Sequence, residues 1–389
     1  MKKIFSFFLF TMLFFGFGSA PCTFASYACA DQLVSSVDAI SLPEPDFDAM
    51  FSSHAPHEVV AFVNGHEVTW EDYFYFYYSS ASSLYDMMKY YANFGSEVSW
   101  NDVYDPSGGI TFAQLPVINA GQDIMRFLSI ADFTEAAGIT LNESSEAILA
   151  EMYLADVGSY SSEQDPAAAF ASYLASVRLP EDLYYFLSRT NVLYQQAFTD
   201  LYGVNGSSVP DDAALSYLKE NGYISGIHIY FPFNNAYTGE VESEDAIRAR
   251  REQAASLVAD LNAVEDVQGR RSLFDSYRTD LDEDPVSFYF PDGYTICGGY
   301  IPDELFTALR SAEDCSVLSV EVSSGLYVAM KLPPNPDGLT GYSEQGTPLT
   351  ARALYANEDY AARLDKQFAE TDFQYAEGFS VPDINAFLN

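Results

Sequence analysis

The chain has 389 residues, of which 48% are hydrophobic and 16% aromatic, enough for packed cores and too much for a disordered or low-complexity protein. It carries 56 Asp and Glu against 18 Lys and Arg, a formal net charge of -38. That balance argues against nucleic acid and against anionic lipid surfaces, both of which are bound through Lys and Arg, and leaves basic or neutral polypeptides as partners.

Lys2 and Lys3 precede an almost unbroken apolar run from Ile4 to Gly18, and small-residue sites follow at Thr23-Phe24-Ala25 and Ala28-Cys29-Ala30. Residues 1–30 therefore read as a secretory signal peptide. The run is about 15 residues long, short of the roughly 20 that span a bilayer as a helix. The mature chain is expected to be extracytoplasmic, secreted or associated with the cell envelope, without a transmembrane segment. A lipid tether at Cys22 or Cys29 stays open, although Pro21 precedes the first and Ser26-Tyr27-Ala28 before the second lacks an aliphatic residue. Loss of the leader leaves Cys297 and Cys315, as one disulfide or as two thiols.

Residues 31–57 are polar and Pro-containing, without a sustained period, and read as a flexible lead-in. Val59 to Val63 and His66 to Thr69 flank Asn64-Gly65, the pattern of a tight hairpin. Thr69 is placed to cap a helix whose first turn holds Glu71 and Asp72 and whose face carries Trp70, Tyr73, Phe74, Tyr77 and Leu84. Gly95 to Gly109 is a loop, and helices follow over 117–137, from the cap Asn142 to Tyr153, over 164–202 and up to Asn221-Gly222. Residues 58–222 are thus mainly helical. From Tyr223 the pattern changes to strand, then to a helix from Ser243 to Ala263, an acidic loop from Asp280 to Asp292, and paired strands around Ser323-Ser324-Gly325. This α+β segment ends at Pro333-Pro334-Asn335-Pro336, and residues 350–377 return to helix.

Chemistry-bearing motifs are sparse. The four histidines, His54, His57, His66 and His228, do not form a metal-ligand pattern, so neither a metal nor a cofactor is expected. The run Asp280-Leu281-Asp282-Glu283-Asp284 opens like a calcium loop but puts Pro285 at position six and Pro291 at position twelve. Ser216-Tyr217-Leu218-Lys219 is a chance match to a nucleophile motif on an amphipathic helix. The aromatic run from Tyr73 to Tyr78 is either packed on two sides or partly exposed as a surface that grips apolar polypeptide.

The segment from Val59 to Thr69 resembles the opening hairpin of SurA- and PrsA-type extracytoplasmic foldases, whose helical chaperone domain leads into a parvulin-type prolyl isomerase domain. Ile227-His228-Ile229 resembles the first parvulin strand, Leu273 to Asp280 its helix end, Gly299 to Glu304 the pocket segment, and Gly325-Leu326-Tyr327-Val328 the final strand. The resemblance implies an α+β architecture: a chaperone domain over 58–222, an inserted parvulin-like domain over 223–336, and a linker and C-terminal helix over 337–389 that packs on the chaperone domain. It implies His228, Asp280 and Tyr327 as catalytic residues and Tyr300, Leu305 and Phe306 around the proline. Trp70, Tyr73, Phe74 and Tyr77 would hold unfolded or newly exported polypeptides.

The departures from the pattern are specific. Tyr327 stands where a second histidine is expected, Tyr300 where a pocket Met is expected, and Glu304 or Leu305 where a pocket Phe is expected. Two readings follow: a prolyl isomerase and chaperone, or a holdase whose parvulin fold only binds peptide.

Overall fold

The computed structural model describes residues 42–389 apart from 95, 106, 236, 237, 344 and 345; the expected leader, with Cys22 and Cys29, lies outside the described residues. The chain divides into two compact units, one of residues up to Phe198 together with Tyr360–Asn389, the other Thr199–Asp359. Helix and sheet alternate irregularly through both, an α+β chain.

In the first unit, α1 (Phe47–Phe51) precedes a hairpin of β1 (Val59–Val63) and β2 (His66–Thr69). Both turn residues have positive φ, Asn64 at 49° and Gly65 at 87°, which is why Asn-Gly suits this tight turn. The Thr69 side chain accepts from the amide of Asp72 and starts α2 (Trp70–Asn93). Two short strands pair here, β3 (Val103–Asp105) inside the stretch expected to be loop and β4 (Ile110–Thr111) just beyond it. Four helices complete the unit: α3 (Leu115–Ala136), α4 (Glu143–Gly158), α5 (Pro166–Ser176) and α6 (Glu181–Tyr202), whose last residues belong to the second unit. The side chain of Asn142 caps α4 through the amide of Ser145 at 2.9 Å, and Asp165 caps α5, with Pro166 in its first turn.

The C-terminal segment closes this unit in a way local patterning did not indicate. Phe373–Tyr375, expected to be helical, is a strand that pairs antiparallel with β1, Ala61 opposite Tyr375. The lead-in, expected to be flexible, is ordered from residue 42: the Asp46 amide donates to the Phe387 carbonyl at 2.7 Å, Pro45 bridges Leu388, and Met50 is fully buried. Backbone pairing to a segment more than 300 residues away leaves no periodic trace in a short polar stretch.

The second unit begins with a single 3-10 turn and α7 (Asp211–Glu220), then forms a four-stranded sheet. Its strands are β5 (Ile224–Pro232), β6 (Tyr294–Ile296), β7 (Val317–Val322) and β8 (Gly325–Leu332), in the antiparallel order β6-β5-β8-β7. Between them run α8 (Glu244–Asn262), α9 (Val267–Leu281) and α10 (Asp303–Ser311). A hairpin of β9 (Leu339–Tyr342) and β10 (Pro348–Thr350) leads into α11 (Ala351–Ala369), which continues into the first unit.

Strict alternation gives this sheet two buried faces. Ile227, Ile229 and Phe231 of β5, with Val328 and Met330 of β8, pack against Leu257 and Leu261 of α8 and Phe274 of α9. The opposite face carries Tyr230, Tyr327 and Ala329 and packs against Leu305 and Leu309 of α10. His228 lies between Ile227 and Ile229, so the pleat turns it to this second face. Cys297 and Cys315 are both free thiols.

Candidate functional site

The site is built where β6 stops short. β6 pairs only with Ile224, Ser225 and Gly226 of β5, leaving the edge further along β5 open. The chain beyond α9 fills it. The Tyr230 amide donates to the Asp282 carboxylate at 2.9 Å, and the Glu283 amide donates to the Tyr230 carbonyl at 3.1 Å. The Asp284 amide also donates to Asp282, at 3.2 Å, so the side chain of Asp282 replaces a missing strand partner and fixes the position of Asp284.

Arg278 in the last turn of α9 holds the next loop. Its guanidinium donates to the carbonyls of Pro291 and Ser287 at 2.7 Å and of Phe290 at 3.0 Å, and lies 3.5 Å from Asp282. One side chain thereby shapes the segment that delivers both Asp284 and Tyr294.

His228 is 5% exposed, and both of its ring nitrogens are engaged. Nε2 lies 2.9 Å from Asp284 Oδ2, and Nδ1 lies 3.1 Å from the Tyr294 hydroxyl. A carboxylate only accepts, so the neutral imidazole that satisfies both contacts carries its proton on Nε2 and accepts from Tyr294 at Nδ1. Burial, with Tyr327 and Asp284 nearby, pushes the Tyr294 phenol far above its ordinary value and keeps it a donor.

Tyr327 stands edge-on to the imidazole, ring centres 5.1 Å apart at 88°, and stacks on Tyr230 directly opposite it in the sheet, 4.5 Å apart. The Tyr230 hydroxyl is committed to the Ser324 carbonyl at 2.8 Å. The Tyr327 hydroxyl makes no hydrogen bond among the described residues. Burial, then the neighbouring Tyr230 and the two aspartates, raises its pKa, so it too stays protonated. Phe290 meets Tyr294 edge-on and, with Ile301 and Phe306, flanks this cluster with partly exposed apolar surface.

Of the residues expected at this site, the structure brings His228 and Tyr327 together and keeps part of Phe306 accessible beside them. Asp280 does not join them: it is exposed in the last turn of α9, and the acid that reaches His228 is Asp284. Leu305 is completely buried under the sheet, a core residue that supports the site from below. Tyr300 is 71% exposed. Asp282, Asp284, Tyr230 and Tyr294 were missed; the acidic run after α9 and the period-two pairing of residues 228 and 230 were the available signals.

The expected client-gripping aromatics need correction. Trp70, Tyr73 and Phe74 are 0% and Tyr77 1% exposed, and Tyr75 and Phe76 are buried as well. Their polar atoms look inward too: the Trp70 indole donates to the Phe51 carbonyl at 2.7 Å, and the Tyr73 and Tyr375 hydroxyls meet at 3.0 Å. These side chains are the core of the first unit. A surface role is closed to them because α1, the hairpin sheet, α3 and the C-terminal strand cover α2 on most sides.

Among the described residues no group of three or more His, Cys, Asp and Glu side chains is arranged to hold a metal ion, and no helix is long and apolar enough to cross a membrane.

No protein-family model and no curated protein matches the chain. Similar solved structures include PrsA from Bacillus subtilis, 12% identical over 81% of this chain and 92% of that one, with a TM-score of 0.25. The foldase protein PrsA from Streptococcus pneumoniae is 12% identical over 68% of this chain and 77% of that one, TM-score 0.19. The peptidylprolyl isomerase PrsA from Bacillus anthracis is 12% identical over 64% and 91%, TM-score 0.22.

Proposed function

We propose that this chain is a folding factor for exported polypeptides, and that its second unit catalyses peptidyl-prolyl cis–trans isomerisation. The observation that carries the reading is the unpaired, protonated Tyr327 hydroxyl beside a histidine whose two nitrogens are held by Tyr294 and Asp284, on an apolar sheet face. Among the described residues the partners of its two nitrogens are Tyr294 and Asp284, neither of them a Ser or Cys nucleophile. A reaction that breaks no bond needs no nucleophile.

Prolyl isomerisation has a barrier of about 18–20 kcal/mol that comes from amide resonance. Apolar surroundings disfavour the charge-separated resonance form, and an X–Pro bond enclosed by Phe290, Phe306 and the tyrosine rings would rotate more easily. The Tyr327 hydroxyl would donate to the substrate, with the Tyr294–His228–Asp284 chain holding the imidazole against its ring. On this reading residues 223–336 supply the parvulin-like domain and 58–222, with the C-terminal helix, the chaperone part. Residues 1–30 act as the export leader.

The test is refolding of a protein limited by a native cis-prolyl bond, an uncatalysed step of tens to hundreds of seconds. The wild type is expected to accelerate it, and Tyr327→Phe to reduce kcat/KM about tenfold, the worth of one neutral hydrogen bond. Retention of full activity in both Tyr327→Phe and His228→Ala would refute this assignment. A specific observation favours a second reading, a holdase: His228 is buried and saturated, and its partner position is Tyr327 rather than histidine. Suppressed client aggregation without any prolyl acceleration would establish that reading instead.

A further inference from the structure

The first unit contains a cavity of about 320 Å³, at the small end of the roughly 300–1,000 Å³ typical of ligand pockets. Its floor is Val68, Phe76, Ile124 and Leu183, all buried, and its walls are the partly exposed Phe127, Leu128 and Phe186. Glu67, Asp72 and Asp182 line it as well, with His66. No Lys or Arg does. His66 Nε2 is held 2.8 Å from the Asp132 carboxylate, and Arg126, next in sequence to Phe127, pairs with Asp123. Glu67 and Asp182 are exposed and engage no hydrogen bond or ion pair among the described residues.

We propose that this cavity is a binding site for polypeptide segments in which a bulky apolar side chain is flanked by Lys or Arg. The inference deepens the folding-factor reading and rests on it. The apolar floor accepts the side chain, since burial of a Leu or Phe is worth far more than any surface ion pair. The carboxylates select what stands beside it. The volume suits one or two side chains rather than a whole peptide, so flanking residues must lie across the acidic rim. An anionic segment meets repulsion there and also from a chain of net charge -38. This site, and not the buried face of Trp70, Tyr73, Phe74 and Tyr77, is where the helix α2 presents itself to a client: Asp72 and Phe76 line the cavity from its other side.

The experiment uses the full chain and two labelled peptides, GKKLFLKKG and its counterpart GEELFLEEG, followed by fluorescence anisotropy at low and physiological salt. The lysine peptide is expected to bind at least tenfold tighter, with the gap narrowing as salt is added. Glu67→Lys combined with Asp182→Lys replaces two attractions by two repulsions, each worth about twofold or more at exposed sites, so the preference should fall about tenfold or reverse. A lysine peptide with Gly-Ser-Gly in place of Leu-Phe-Leu should not bind. Equal binding of the two peptides overturns the proposal. So does a lysine preference that survives the charge reversal, which would place the selectivity elsewhere on the acidic surface. The wild type in the prolyl-refolding assay separates the two readings: isomerisation without peptide binding overturns the cavity alone, and peptide binding without isomerisation overturns the isomerase assignment alone.

Discussion

Tyr294→Phe removes one oxygen from the array that orients His228, and its consequence follows from the geometry. The ring keeps its edge-on contact with Phe290, at 6.3 Å, so packing is conserved. What is lost is the hydrogen bond of 3.1 Å to Nδ1 of a histidine only 5% exposed. The imidazole cannot recover by shifting its proton to Nδ1, because Nε2 would then turn a lone pair on the Asp284 carboxylate 2.9 Å away. Nδ1 is left as a buried acceptor without a donor, which costs about 1–3 kcal/mol. Native-state hydrogen exchange read on peptides of β5 and β8 is the suitable assay, since these central strands open last. A loss near the middle of that range, about 2 kcal/mol, accelerates their exchange about thirtyfold. Nitrogen NMR of the His228 ring should show Nε2 protonated and Nδ1 bare in the wild type. A protonated Nδ1, or exchange within twofold of wild type in the variant, would refute the assigned hydrogen-bond direction.

Three further outcomes are expected. Burial pushes the Asp123 carboxyl up to about 6, Arg126 offsetting part of the rise, while the unfolded chain titrates near 4. The folded state therefore keeps this proton longer, stability falls as pH rises from about 4 to 6, and it is level above that. Because the side chain is 28% exposed, the discounted effect is about 1–2 kcal/mol. Asp123→Asn should thus stabilise the first unit by that amount at pH 7 and not at pH 4, read by urea unfolding through Trp70 and Trp100, both in that unit. A Cβ added at Gly325 would lie 2.5 Å from the Phe231 carbonyl and from the Tyr230 ring, so Gly325→Ala should cost about 1–3 kcal/mol and displace Tyr230 from Tyr327, visible as altered ring shifts in NMR. Arg278→Ala releases three loop carbonyls and leaves Asp282 buried without its cation, so limited proteolysis should cut within residues 285–292 in the variant and spare the wild type.

The local signals in the sequence translated well where the physics is local. Asn64-Gly65 makes the turn because both residues take positive φ, and Thr69 and Asn142 cap helices because their side chains accept an amide three residues on. Alternation along β5 puts His228 and Tyr230 on one face of the sheet, but the neighbour Tyr327 depends on the β5–β8 register and was expected only from the family resemblance. Two of the failures in the first unit share a cause. The order of residues 42–57 and the strand at Phe373–Tyr375 both come from pairing between chain ends, and neither segment is long enough to show a period of its own.

The identity of the acid beside His228 was beyond local reading for a different reason. Asp280, Asp282 and Asp284 are chemically equivalent and spaced two apart, so their roles are assigned by where α9 ends and what lies next to it. The helix runs on to Leu281, which leaves Asp280 on its exposed last turn. The chain then straightens against the edge of β5 that β6 leaves uncovered, Asp282 takes the open amide of Tyr230, and the next same-facing residue, Asp284, arrives at Nε2. The length of β6 thus decides which carboxylate is used. Extending the β6 pairing by four residue pairs, to the position opposite Tyr230, would compete for that edge and expel Asp282, and Asp284 with it. The aromatic run on α2 follows the same rule in reverse: composition marked it as adhesive, but the strand and helix layers available to cover it turned five of its six rings into core, among them Phe76, which forms part of the floor of the acid-lined cavity.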